Sequence, residues 1–141
     1  MLNRVRLAAT LFWSYLLIWT ALLLVPHPAR IFFLPEEAPE QLARWFPVDE
    51  AVHVSGYFLL MLLAAAAFKS ISAGVGIAWL LVGGAAHGAL SELAQLAIPP
   101  REGHWSDFGI DLIGLALGAL IWGLFRRLGP TRNGSKHKAQ P

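Results

Sequence analysis

Apolar residues in this chain gather into four long runs, each closed by proline or by basic residues. Leu7 to Val25 is broken only by Thr10, Ser14 and Thr20, and Pro26 and Pro28 end it. Ala51 to Phe68 is the second run, stopped by Lys69. Ser72 to Ile98 is the third, ended by Pro99 and Pro100, and Ser106 to Phe125 is the fourth, ended by Arg126 and Arg127. A helix rises about 1.5 Å per residue, so crossing a bilayer takes about 20 mostly apolar residues. The pattern predicts four membrane-spanning helices near 7–25, 51–68, 72–98 and 106–125. The third is long enough to tilt or to project past the bilayer. The expected fold is all-α: a polytopic four-helix membrane bundle spanning residues 1–128 as one domain.

Composition strengthens this reading. The chain has 141 residues, 56% of them apolar and only 14% charged, with mean hydropathy +0.54. Soluble domains carry about 25% charged residues. There is no cysteine, which excludes a disulfide framework, a thiolate metal site and a cysteine nucleophile. Arg4 and Arg6 before the first run resemble the basic start of a signal peptide. The run is too long for that and no A-x-A site follows, so it reads as a retained signal anchor.

The distribution of positive charge orients the bundle. Arg4, Arg6, Lys69, Arg126, Arg127, Arg132, Lys136 and Lys138 flank one side, and only Arg30, Arg44 and Arg101 the other. Positive residues collect on the cytoplasmic side, so both termini are expected there, with 26–50 and 99–105 outside. Within the outer loop, Glu37 to Phe46 fits a short interfacial helix with Leu42, Trp45 and Phe46 on its apolar side. An irregular proline-rich loop fits equally well. Residues 129–141 read as a disordered basic cytoplasmic tail. Basic inner flanks are ordinary in membrane proteins and point to lipid head groups, not nucleic acid.

Against this background a set of polar residues stands out. Asp49, His53 and Tyr57 are spaced i, i+4, i+8 and share one helix face. Glu92 and Gln95 are i, i+3 at the end of the third run, Arg101 lies in the link, and Asp107 and Asp111 are i, i+4 at the start of the fourth. Glu92 precedes Ile98 by six residues, about 9 Å along a helix. All belong to the outer half of the membrane in the expected orientation, and the short 99–105 link makes the third and fourth spans neighbours. Gly114 and Gly118 form a small-xxx-small pair, with Gly109, Gly123, Gly84 and Gly88 nearby, the kind of residue that lets helices approach in lipid.

Ionisable groups in spans are expensive and commonly functional. His53 suits proton transfer and Glu92 can share acid–base work with it. Arg101 can hold a phosphate or carboxylate through its planar fork. Asp107 can orient His53 or Arg101, and can also cap the fourth helix. The candidate catalytic residues are therefore His53, Glu92 and Asp107, and the candidate binding residues Asp49, Tyr57, Gln95, Arg101 and Asp111. Each also has a structural reading: Glu92 paired with His53 or Arg101, His53 pinning its helix, Tyr57 and Arg101 as interfacial anchors. Asp111 is too deep for a cap and needs a partner. His87 and His104 add to the histidines, but no dense ligand motif such as H-E-x-x-H is present, so neither a metal nor another cofactor is expected. No nucleophile elbow, phosphate loop or dinucleotide fingerprint occurs.

Asp49-Glu-Ala-Val-His53-Val-Ser-Gly-Tyr57, Ser91-Glu92-Leu-Ala-Gln95, Pro100-Arg101 and Asp107-Phe-Gly-Ile-Asp111-Leu-Ile-Gly114, with Gly118 after, resemble in order the VanZ-like family of small membrane proteins. The resemblance implies an integral protein of the bacterial cytoplasmic membrane, in a family named for a protein linked to low-level teicoplanin resistance. Two positions depart from the family pattern. Glu50 stands where Lys is usual, and Asp111 where Asn is usual, so the outer cluster is more acidic. The expectation is a cell-envelope protein that recognises or modifies a lipid-linked envelope precursor or glycopeptide-like ligand at the outer face, amid membrane lipids. The alternative is a non-catalytic binding or scaffold module. A proton-coupled carrier, with Glu92 and Asp111 as relay groups, comes third, since four spans would require an oligomer.

Overall fold

The computed structural model describes residues 2–26, 48–69, 73–99 and 103–128. These hold four helices: α1 Leu2–Leu24, α2 Val48–Ala67, α3 Ala73–Gln95 and α4 Trp105–Leu128. All four are long and apolar enough to cross a membrane, and no strand occurs among the described residues. The loop segment 37–46, Arg101 and the tail from residue 129 lie outside the described residues.

The helix bounds differ from the apolar runs for physical reasons. Near Asn3 to Arg6 and at Arg126 and Arg127 the helices outlast the runs, because a helix tolerates polar residues wherever it leaves the apolar layer. The two arginines also sit where a helix C-terminus favours cations. At its other end α2 opens with Asp49 and Glu50 in the first turn, where anions are favoured. α3 ends three residues short of Ile98. There the ladder tightens, with Ala97 N–H donating to Ala94 O and Ile98 N–H to Gln95 O, both 3.0 Å. Pro99 disfavours helical backbone in the residue before it, so the chain leaves the helix by this tighter turn.

Large apolar side chains cover the outside: Leu17 is 73% exposed and Trp79 and Phe125 are each 69% exposed. Patches on that scale belong against lipid, not water. The interior is small and aromatic, with Phe12, Trp19, Tyr57, Met61 and Leu115 at its centre.

α2 and α4 form the most extensive interface. They close through the predicted small-xxx-small pair. A Cβ on Gly114 would strike the Val54 carbonyl oxygen, and one on Gly118 would lie 2.8 Å from both Met61 Cβ and the Phe58 carbonyl oxygen. Gly109 and Gly123 have nothing nearby, so they are not part of the seam. Against α1, Gly56 leaves the space that the Trp19 ring fills.

These contacts separate the glycines by experiment. Gly114→Ala should force α2 and α4 apart and cost about 1–3 kcal/mol as an overpacking change. Gly109→Ala should stabilise by up to about 1 kcal/mol through helix propensity alone. Reversible unfolding in mixed micelles measures both, and equal effects at the two sites would contradict this packing.

Candidate functional site

At the end of the bundle where α1 and α3 finish and α2 and α4 begin, the closest helix seam carries charge. Asp111 stands on α4 one turn before Gly114 and is 0% exposed, while His53 on α2 is 8% exposed. Their side chains meet with His53 Nδ1 2.8 Å from Asp111 Oδ1. The glycine seam brings the helices close enough for a short Asp to reach. A buried carboxylate is costly unless paired and hydrogen-bonded, and this contact supplies that pairing on one of its oxygens.

Glu92, on α3, is 2% exposed. Its Oε2 accepts the backbone N–H of His104 at 2.8 Å. Gly103 lies against the Glu92 carbonyl, where a Cβ would collide. The carboxylate therefore holds the end of the α3–α4 link down on the helix it came from. Gln95, also buried, donates from Nε2 to the Leu23 carbonyl at 3.1 Å. It thus satisfies one of the carbonyls that the C-terminus of α1 leaves open.

Below these groups a second network crosses three helices. Thr20 Oγ1 donates to the Leu16 carbonyl at 2.7 Å and lies 2.9 Å from His87 Nε2. With the hydroxyl proton committed, the threonine oxygen can only accept, so His87 carries its proton on Nε2. His87 Nδ1 is then an acceptor, and the Tyr57 hydroxyl, 2.9 Å away, donates to it. The Ser91 hydroxyl donates to the Gly88 carbonyl at 2.8 Å, so its 3.3 Å contact with Tyr57 has no proton left to share. Trp19 stands edge-on to both His53 and Tyr57, with centroids 6.4 and 6.1 Å apart. The Tyr15 hydroxyl reaches the Gly56 carbonyl at 3.0 Å.

Among the described residues, three buried polar atoms at this end have no hydrogen-bond partner: Glu92 Oε1, Asp111 Oδ2 and Trp19 Nε1. Natural interiors leave few such groups, and each calls for an explanation. One ligating atom from each of His53, Glu92 and Asp111 lies within 4.8 Å of the others.

The structure sorts the residues singled out from sequence. His53, Tyr57, Glu92, Gln95 and Asp111 come together and are buried. Asp49 is exposed in the first turn of α2. Asp107 is half-buried in the first turn of α4, where its Oδ1 lies 3.4 Å from the Ser106 hydroxyl. The residue orienting His53 is thus Asp111 and not Asp107, because Asp111 is one turn deeper and faces the α2 seam. Among the described residues, the hydrogen bond of Glu92 is to the backbone N–H of His104 and not to His53; Arg101, its other expected partner, lies outside them. Thr20, Trp19 and Tyr15, all from α1, were missed. A hydroxyl or an aromatic within an apolar run carries no mark of the side chain it will meet. His87 was visible only as a histidine deep in its span.

Deep to this network lies an open cavity of about 210 Å³. Leu16, Leu60, Met61, Trp79, Gly83 and His87 are among its lining residues. His87 is thus shared between the polar network and an otherwise apolar groove. The mouth is flanked by Trp13 of α1 and Trp79 of α3, which are 59% and 69% exposed. Comparison of the chain with protein-family models, with curated proteins and with solved structures gave no match.

The Glu92–His104 contact predicts a local effect. Glu92→Ala removes the acceptor and should cost about 1–3 kcal/mol for the half-buried N–H left unpaired. Hydrogen exchange at residues 103–105 should quicken. Glu92→Gln keeps an acceptor oxygen and should leave that exchange nearly unchanged. Equal acceleration in both would show that the carboxylate charge, not the hydrogen bond, holds the link.

Proposed function

We propose that this chain is a VanZ-like protein of the bacterial cytoplasmic membrane that recognises a lipid-linked envelope molecule at the outer face. The observation that carries this is the stacking of two environments on one residue. His87 is hydrogen-bonded to Tyr57 and Thr20 on its polar side and lines the apolar groove on the other. Counting from the helix ends at about 1.5 Å per residue, Glu92 and His53 lie about 5–8 Å in. His87 lies about 12 Å in, and Leu16 to Trp79 line the groove at about 12–24 Å. A lipid entering from that face would meet polar groups with its head and the groove with its chain. Pockets of this kind, mostly apolar with a few convergent polar groups, are the usual form of ligand sites. Two further supports are the VanZ-like motifs and the eight-to-three division of Lys and Arg, which favours an outer position for this end.

In a catalytic version of this reading His53, oriented by Asp111, handles the proton. A histidine held by a buried Asp is the arrangement that fixes an imidazole for acid–base work. The competing reading is a non-catalytic binding or scaffold module. It is favoured by how many of the polar groups are engaged within the bundle, Gln95 to α1 and Glu92 to the link above all.

Gly83 offers a clean test, because it lines the groove and has nothing within 4 Å of its missing Cβ. Gly83→Phe should fill the groove without disturbing the helices. In vesicles carrying a photoactivatable long-chain prenyl phosphate, or separately a photoactivatable diacyl phospholipid, wild-type protein should crosslink within α1 and α3. Gly83→Phe should lower that yield about tenfold, equivalent to about 1.4 kcal/mol. Undiminished labelling by both probes would remove the lipid reading. Labelling that falls while His53→Ala and Glu92→Gln leave every envelope assay unchanged would favour the scaffold module.

A further inference from the structure

We propose that His53, Glu92 and Asp111 form a binding site for one divalent transition-metal cation, with Zn²⁺ or Mn²⁺ chemistry, buried among α2, α3 and α4. The three residues come from three helices, yet one ligating atom of each lies within 4.8 Å of the others. Atoms sharing a metal at about 2.1 Å sit about 3–3.4 Å apart, so an inward movement of about 1–2 Å closes the set. The 2.8 Å between His53 Nδ1 and Asp111 Oδ1 already has the spacing of neighbouring ligands; a cation would take the place of the proton between them.

Two independent features point to an occupant. Glu92 and Asp111 are 2% and 0% exposed, and each keeps one oxygen without a hydrogen-bond partner among the described residues. The His104 N–H occupies Glu92 Oε2 and His53 occupies Asp111 Oδ1, which leaves Oε1 and Oδ2 without a partner among the described residues. Charge argues the same way. Two ionised carboxylates in a low-dielectric interior carry a formal charge of about −2, which one divalent cation cancels. Five of the Lys and Arg residues fall in the described part of the chain. Arg4, Arg6, Arg126 and Arg127 lie at the opposite end of their helices, and Lys69 just beyond the opposite end of α2.

The donor set narrows the ion. One imidazole nitrogen with two carboxylates suits Zn²⁺, Mn²⁺ or Fe²⁺, whereas Ca²⁺ and Mg²⁺ prefer six or more oxygens. Three protein ligands leave a position for water or an anionic oxygen. That position would let so acidic a cluster accept a phosphate or carboxylate head group. The cation site stands on the cluster's own geometry and does not depend on lipid binding. Spacing along the chain hides it, since residues 53, 92 and 111 make no local ligand motif.

The test uses the full chain with a non-histidine affinity tag, stripped with EDTA and reconstituted in phosphatidylcholine nanodiscs. Zn²⁺ and Mn²⁺ content is measured after dialysis, and Co²⁺ is titrated by visible absorption. Wild type should hold about one equivalent, and Zn²⁺ should restore thermal stability lost to EDTA, since a ligand that binds only the folded state stabilises it. Glu92→Gln and Asp111→Asn, both near-isosteric, should weaken binding on the order of 100-fold or more. His27→Ala and His137→Ala should bind as wild type. If wild type binds no more cation than Asp111→Asn, or EDTA leaves its melting unchanged, the proposal falls and water or a shared proton fills the cluster. If wild type binds none and Arg101→Ala alone destabilises the fold, the neutralising charge is the guanidinium. Because no step uses a lipid probe, loss of prenyl phosphate labelling with an intact metal signal would reject only the lipid reading.

Discussion

Asp111 has no exposed surface and stands one turn from Gly114, where α2 and α4 nearly touch. An unpaired carboxylate there would cost several kcal/mol, far more than any one packing contact contributes. The seam therefore depends on the His53–Asp111 bond as much as on Gly114 and Gly118. The dependence also runs in reverse. An Asp side chain is short, and it reaches across to α2 only because the glycines beside it let the backbones nearly touch. Charge pairing and close approach are one constraint, and the polar groups on α1 and α3 take their places around it.

The same constraint accounts for the layering of the bundle. Trp19 occupies the space that Gly56 leaves and stands over His53 and Tyr57. This closes the cluster from the α1 side. Thr20, whose proton goes to the Leu16 carbonyl, accepts from His87 Nε2, so His87 Nδ1 accepts from Tyr57. Each bond fixes the donor or acceptor role of the next. The chain of roles runs from Tyr57 through His87 and Thr20 to the Leu16 carbonyl, and His87 also borders the apolar groove.

Much of the fold was legible because a bilayer imposes a simple rule. Every backbone amide must be satisfied within its own segment, so an apolar run of sufficient length has one structure open to it. The glycine pair was legible for a related reason, though Gly109 and Gly123 show that a small residue marks a contact only when it faces one. Helical spacing correctly grouped His53 with Tyr57 and Glu92 with Gln95. It failed for Asp49, which shares their face but sits exposed in the first turn. It also could not choose between Asp107 and Asp111 as the partner of His53. That choice rests on depth and rotation of α4 against α2, set by packing that periodicity along one helix does not encode.

Asp111 is where sequence and structure bear on each other most. An Asn at that position could satisfy itself as donor and acceptor without charge, and the close α2–α4 seam would need no counterion. With Asp, the neighbouring groups must answer an extra negative charge with a protonated His53, a shared proton or a bound cation. Glu92 adds a second carboxylate, while its backbone contact to His104 supplies only a partial charge. One neutral hydrogen-bond donor would not balance the pair if both were ionised in a low-dielectric place. An Asp at residue 111 therefore changes what the cluster must hold as well as how it packs, and the unpartnered oxygens of Glu92 and Asp111 are where a further partner would bind.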